Sequence, residues 1–178
     1  MQILERDIKL ARNGDKEAFT RLIKAIELNL YGVARSIVKR DEDCADAIQE
    51  TIWKAYRNLS SLKEPAFFKT WIFRILINEC NQILRKEKRT VSSENLRKEQ
   101  VSSFDTYENI DLKEAINHLE ESLRLLITLH YFEGISLKQI SELLDTPEGT
   151  IKSRLHRARH FLADCLREPN ERMISNES

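Results

Sequence analysis

From Thr150 to Ala163 the chain carries Lys152, Arg154, Arg157 and Arg159 and not one acidic residue. Thr150, Ser153, His156 and His160 are interleaved with them. At about 100° per residue, a helix through this stretch gathers Gly149, Ser153, His156, Arg157 and His160 on one face. Ile151, Leu155, Ala158 and Leu162 form a narrow apolar stripe opposite, as a core-facing side requires. Hydroxyl, imidazole and guanidinium groups on an exposed helix face can hydrogen-bond base edges in a duplex groove. Thr150 and Lys152 flank that face, and Arg154 and Arg159 lie nearer the core edge, where a cation suits a phosphate or a neighbouring helix. A solvated basic helix on an ordinary bundle is the competing reading, and what stands in front of the helix argues against it.

Immediately upstream is GISLKQISELLDTPEG. Ser136 and Gln139 have the spacing of a capping box, in which the serine oxygen accepts from the amide at 139 and Gln139 reaches back. The short helix that follows buries Leu137, Ile140, Leu143 and Leu144. Asp145 stands where many helix-turn-helix turns carry glycine, and aspartate tolerates left-handed geometry better than most residues. Thr146 is placed as an N-cap and Pro147 as the first residue of the next helix, where its missing amide hydrogen costs nothing. Start and stop signals at each joint make a helix-turn-helix, with the basic helix as its second, DNA-reading member.

Two further constellations lie in the first half. Asp41, Glu42, Asp43, Asp46 and Glu50 give residues 41–50 five acids and no base, a surface suited to a basic protein partner. Lys63, Phe67, Phe68, Lys69, Trp71, Phe73, Arg74 and Asn78 mix rings, cations and an amide, a set that suits single-stranded nucleic acid, where unpaired bases stack or enter pockets. Taken alone, most of those rings are better read as core than as a binding surface, Trp71 especially, since it falls on a helical stripe with Ile75 and Asn78.

The elements that must position these groups read as helix almost throughout. The chain has only four glycines and three prolines in 178 residues, too few for a β-rich fold with many tight turns. Asn13-Gly14-Asp15 closes a first short helix and caps a second, whose face is Phe19, Leu22, Ile23, Ile26 and Leu30. A third helix covers about 42–58, with Ala45, Ile48, Ile52, Ala55 and Tyr56 expected on its inner side. Residues 59–66 form a loop before a long helix over about 67–89. Polar, serine- and acid-rich sequence then follows without apolar period. Asp111 is placed to cap a helix with Leu112, Ala115, Ile116 and Leu119 on its face. A next helix starts at Glu120 or Glu121, carries Leu125, Leu126, Leu129 and Phe132, and ends at Gly134. The expected architecture is all-α: an N-terminal four-helix unit over 1–90, a flexible acidic linker over 91–108, a C-terminal four-helix unit with the helix-turn-helix over 109–167, and a disordered tail over 168–178.

DCADAIQETIWKAYRNL, FKTWIFRILIN and ISLKQISELLDTPEGTIKSRLHRAR, in this order, resemble the extracytoplasmic-function sigma factors of bacterial RNA polymerase, and NGDKEAF resembles that family's opening. The resemblance covers about 13–90 and 119–163. It implies a subunit that confers promoter choice and melting without being an enzyme, with the polymerase core (the β′ clamp helices and the β subunit) and promoter DNA as partners. It places Asp46, Gln49 and Glu50 at the β′ coiled coil. It places Lys63, Phe67, Phe68, Lys69, Trp71, Arg74 and Asn78 at the minus-10 element, where 63–68 capture an extruded base. Thr150, Lys152, Ser153, Arg154, His156 and Arg157 fall at the minus-35 element. Glu64-Pro65 departs from the small residues usual in the capture loop. The resemblance further implies an anti-sigma factor, often membrane-bound, and a stress- or envelope-linked signal. The reading outside that family is an autonomous helix-turn-helix repressor or activator, which would bind a palindrome as a dimer.

Bulk features narrow the rest. Three cysteines, Cys44, Cys80 and Cys165, are far apart with no CxxC, so neither a disulfide framework nor a metal site is expected. No nucleophile–base set or cofactor motif appears, and no small-molecule substrate is expected. The amino terminus lacks an apolar signal core and no run reaches membrane-spanning length, which points to a cytoplasmic chain. The resemblance implies that the chain is monomeric when free and that an anti-sigma factor could hold it at the membrane. Net charge is zero, assembled from blocks: acidic 41–50, basic 85–89 with four bases and one acid, acidic 91–121 with eight acids and three bases, then the basic helix. Acidity in the linker would repel DNA and keep the two units from binding it nonspecifically.

Overall fold

The computed structural model of the chain describes residues 2–91 and 112–166. Eight α-helices occur there, and no strand is found among the described residues: α1 (Gln2–Arg12), α2 (Lys16–Ile37), α3 (Asp41–Asn58), α4 (Phe68–Val91), α5 (Leu112–His118), α6 (Glu121–Ile127), α7 (Leu137–Leu144) and α8 (Glu148–Leu166). The expected linker over 91–108 and tail over 168–178, and Asp111 as a cap, fall outside the described residues, except for Val91.

Local chemistry sets the boundaries. Gly14 takes a φ of 96°, and the Asp15 side chain accepts from the Ala18 amide at 3.0 Å, so α1 stops and α2 starts within three residues. Short 3₁₀ turns at Leu59–Ser61 and Pro65–Phe67 carry the chain from α3 into α4, with proline at the start of the second. The helix beginning at Glu121 does not run evenly to Gly134. Its last turn, Thr128–Phe132, widens to a π-helix, and the Glu133 amide bonds the Thr128 carbonyl five residues back at 3.0 Å. Gly134, at φ 66°, then reverses the chain. Phe132, expected on the apolar face, is instead 61% exposed, because the extra residue in that turn rotates it out of register.

The first unit packs α2, α3 and α4 together with α1 laid along α2. The second packs α8 against α5, α6 and α7. Of the five residues expected on the inner side of α3, only Ala55 is fully buried. The buried residues of this helix are Cys44, Ala47, Thr51 and Ala55, whereas Ala45 and Tyr56 are exposed and Ile48 and Ile52 only half-buried. Small side chains on the inner face let α3 approach α2 and α4 closely. The larger ones line a groove of about 490 Å³ between α2 and α3, with Leu28 and Tyr31 opposite.

The two units touch. α2 packs on α6 and its π turn, α4 meets α7, and the buried apolar residues of both halves form one continuous cluster. Buried Arg124 of α6 reaches across, its Nε donating to the Ser36 carbonyl of α2 at 2.8 Å.

Candidate nucleic-acid and polymerase interfaces

Ser136 accepts from the Gln139 amide at 3.3 Å, and the Ser136 amide donates to Gln139 Oε1 at 3.2 Å, so the expected capping box fixes the start of α7. Asp145 takes the left-handed conformation, φ 49° and ψ 46°, which turns the chain sharply out of α7. Thr146 does not cap α8 as expected. Its hydroxyl donates to the Leu144 carbonyl at 3.1 Å, and the amides of Thr150 and Ile151 bond the Pro147 carbonyl, so the helix is entered one residue later.

On α8, Ile151, Leu155, Ala158 and Cys165 are buried and Leu162 half-buried. Lys152, Ser153, His156, Arg157 and His160 are exposed, and Thr150 and Arg154 sit half-buried at the edges. The helix therefore presents the face that the spacing predicts. Ser153 Oγ donates to the Thr150 carbonyl at 2.9 Å, which leaves the oxygen's acceptor capacity facing out. His156 and His160 lie one turn apart with Nε2 atoms 3.2 Å from each other.

Asp46, Gln49 and Glu50 are all exposed on α3. Trp53 continues their stripe, 53% exposed, with the Arg57 guanidinium 4.6 Å above its ring. The sequence reading missed Trp53, though its spacing from Gln49 and Glu50 would have found it. Tyr31 donates to the Asp41 carboxylate at 3.0 Å, and that hydrogen bond and charge raise the phenol's pKa above its ordinary value.

The residues expected at the minus-10 element divide. Phe67 is half-exposed, and Lys63 and Asn78 are exposed. Phe68 is in the core at 1% exposure, and Trp71 packs near it, ring centroids 6.1 Å apart. Lys69 and Arg74 are drawn to the second unit: Lys69 Nζ lies 2.9 Å from Glu133 Oε2, and Arg74 Nη2 donates to the Glu142 carbonyl at 2.6 Å. Asn78 and Trp71 open instead on a cleft of about 500 Å³ between α3 and α4, shared with Lys54, Asn58 and Arg85. At its edge Lys54 Nζ lies 2.6 Å from the Glu79 carboxylate, an ion pair that neutralises a nearly buried acid.

No group of three or more histidine, cysteine, aspartate or glutamate side chains among the described residues could hold a metal ion, and no helix there is long and apolar enough to cross a membrane. Burial pushes the Cys80 thiol up to about 12 and raises Cys44 as well.

Residues 22–90 match the family model of sigma-70 region 2, and residues 110–162 that of sigma-70 region 4. The chain is 31% identical over 176 residues to the ECF RNA polymerase sigma-E factor of Haemophilus influenzae, covering 89% of this chain and 93% of that protein. It is 33% identical over 132 residues to the RNA polymerase sigma factor SigV of Bacillus subtilis, covering 73% and 80%. Among solved structures, the sigma factor RpoE of Bartonella quintana, in complex with the anti-sigma factor NepR, superposes with a TM-score of 0.70 at 29% identity, over 83% of this chain and 96% of that one. With two sigma regions in order, a helix-turn-helix in the second and near full-length similarity to named members, the chain belongs to the extracytoplasmic-function sigma factors of RNA polymerase.

Proposed function

We propose that this sigma factor divides promoter recognition between its two units. The outward face of α8, with Ser153, His156 and Arg157 at its centre and Thr150, Lys152 and Arg154 at its edges, reads the minus-35 element in the major groove. Residues 63–78 serve the minus-10 element: Phe67, Lys63, Lys69, Arg74 and Asn78 meet the strand, while Phe68 and Trp71 support the segment that carries them. Asp46, Gln49 and Glu50 bind the β′ clamp of the polymerase core, and the β subunit completes the docking. In this reading 1–90 form the first reader, 91–108 the connection, 109–167 the second reader and 168–178 the tail. The chain adds promoter choice to an enzyme and has no catalytic role of its own.

The observation that carries this reading is the α8 face. Every side chain that the helix exposes at its centre can read a base or meet a phosphate, and a capped brace and a left-handed turn aim it. An anti-sigma factor fits as a regulatory partner, since the Bartonella relative was solved with one. Control of a cytoplasmic, monomeric chain by a membrane-bound anti-sigma factor answering envelope stress is the corresponding physiological proposal.

Transcription from a promoter library with purified core polymerase, with and without this chain, tests the assignment. A distinct subset of promoters should be switched on, and no stimulation anywhere would sink it. Arg157→Ala should then cost about 1–3 kcal/mol in promoter binding and relax selection at one minus-35 position. A loss spread evenly over all promoter variants would assign Arg157 to phosphate instead.

A further inference from the structure

Imidazole nitrogen is the commonest protein ligand for zinc-class divalent ions, provided that its lone pair is accessible. His130 is engaged, its Nδ1 lying 3.0 Å from the Ile135 carbonyl. His156 and His160 differ: both are exposed on α8, four residues apart, and their Nε2 atoms converge to 3.2 Å. With Zn–N bonds of about 2.0–2.1 Å, that separation subtends roughly 100° at a shared ion, near the tetrahedral angle. One helical turn puts residues i and i+4 on the same face, which is why paired histidines at this spacing chelate metal. We infer that His156 and His160 form an exchangeable site for one zinc-class ion, and that filling it takes His156 out of base recognition. The second half of the inference rests on the assignment of His156 to the minus-35 element.

In the metal-free pair, the Nε2 hydrogen of one neutral ring points at the Nε2 lone pair of the other. An incoming ion releases two of its waters and takes both Nε2 lone pairs. The ring that carried the Nε2 proton gives it up and is reprotonated at Nδ1 through solvent, so both rings stay neutral. No group of three metal-binding side chains gathers among the described residues, so water keeps the remaining positions and the ion can leave again. Lys152, one turn before His156, and Arg154, Arg157 and Arg159 on the same helix oppose a cation, which also favours exchange over permanent retention. Occupancy has a defined consequence. Nε2 is the ring-tip atom with which His156 can reach a base edge, and once coordinated it neither donates nor accepts a hydrogen bond. Ser153 and Arg157 are left to read. Zinc should therefore imitate removal of the His156 side chain, erasing selection at one minus-35 position, while its charge adds only sequence-independent attraction to phosphate.

The test begins with Zn²⁺ titrated into the full chain, followed by calorimetry and by NMR of the histidine rings. One ion should bind, shifting the His156 and His160 ring signals together, and a chelator should reverse the shift. Mg²⁺, a hard ion that prefers oxygen ligands, should leave them unmoved. His156→Ala and His160→Ala should each weaken zinc binding by at least the ~10–100-fold that loss of an outer-shell partner costs a metal site. Both positions are exposed and alanine favours helix, and the chelator-reversible response of the wild-type chain needs no variant. Polymerase holoenzyme carrying the chain is then tested on promoters varied at each minus-35 position. Zinc should relax selection at the position that His156→Ala relaxes, by roughly threefold or more, the worth of one hydrogen bond. Holoenzyme carrying His160→Ala should ignore zinc, which separates this site from metal acting on the polymerase itself. Absence of zinc binding, or binding that both variants leave intact, would overturn the site without touching the minus-35 reading. If zinc binds the pair and selection holds while His156→Ala relaxes it, the coupling alone falls. If neither zinc nor His156→Ala alters selection, the coupling falls together with the assignment of His156.

Discussion

The guanidinium of Arg124 donates from Nε to the Ser36 carbonyl at 2.8 Å, and from Nη1 to the carbonyls of Asn117 and Leu119 at 3.1 and 3.2 Å. Burial lowers its pKa from the ordinary arginine value, but those carbonyls keep the charge solvated by the protein. Arg124→Ala leaves them short of a donor and should cost about 2–4 kcal/mol, read as a lower urea midpoint. The thiols behave in the opposite sense. Cys80 holds its proton up to about 12 when folded, against an ordinary value of 9.0. Between those values the native state binds more protons than the unfolded one, so this contribution to stability is complete below pH 9 and is lost as pH rises through the folded pKa. Unfolding midpoints measured from pH 8 upward should fall accordingly, and Cys80→Ala should flatten that fall. Arg124 was invisible in the sequence because nothing in LEESLRLLITL distinguishes an exposed arginine from one whose donors meet the carbonyls of another helix.

At the scale of the element, joints were more legible than faces. The capping box at Ser136, the Asp15 cap and the turn at Gly134 follow from short-range hydrogen bonding and backbone sterics, which a few neighbouring residues decide. Ser136→Ala should cost about 1 kcal/mol. Asp145→Gly should raise the melting temperature or leave it unchanged, because glycine reaches φ 49° without the penalty of a Cβ, whereas Asp145→Val should lower it. Thermal melts of the three variants check the ranking, and a stable valine variant would mean that the turn has another conformation. The inner side of α3 was misread because large apolar residues were given precedence. Close packing between helices selects Cys44, Ala47 and Thr51 beside the expected Ala55, and leaves Ile48 and Ile52 at a groove. The π turn before Glu133 was likewise missed, since one extra residue in a turn leaves no mark on an apolar period.

Across the whole molecule, one apolar cluster spans both units, so they should unfold together. Trp53 and Trp71, the two tryptophans, are both in the first unit, whereas far-UV circular dichroism reports helices in both. Urea transitions followed by the two signals should coincide, and an earlier dichroism change would show that the second unit melts alone. The sequence by itself determined the helical class, the two halves, the helix-turn-helix and the face of α8, because hydrophobic period, capping chemistry and turn stereochemistry are local properties. It also carried the family, through motifs in a fixed order. Only the tertiary structure decided that Phe68 is core, that Lys69 and Arg74 are engaged, and that Glu133 and Arg124 bind the halves together. Those outcomes depend on which surfaces meet across more than sixty residues of chain, where a buried charge takes its partner from another element and no local pattern records the choice.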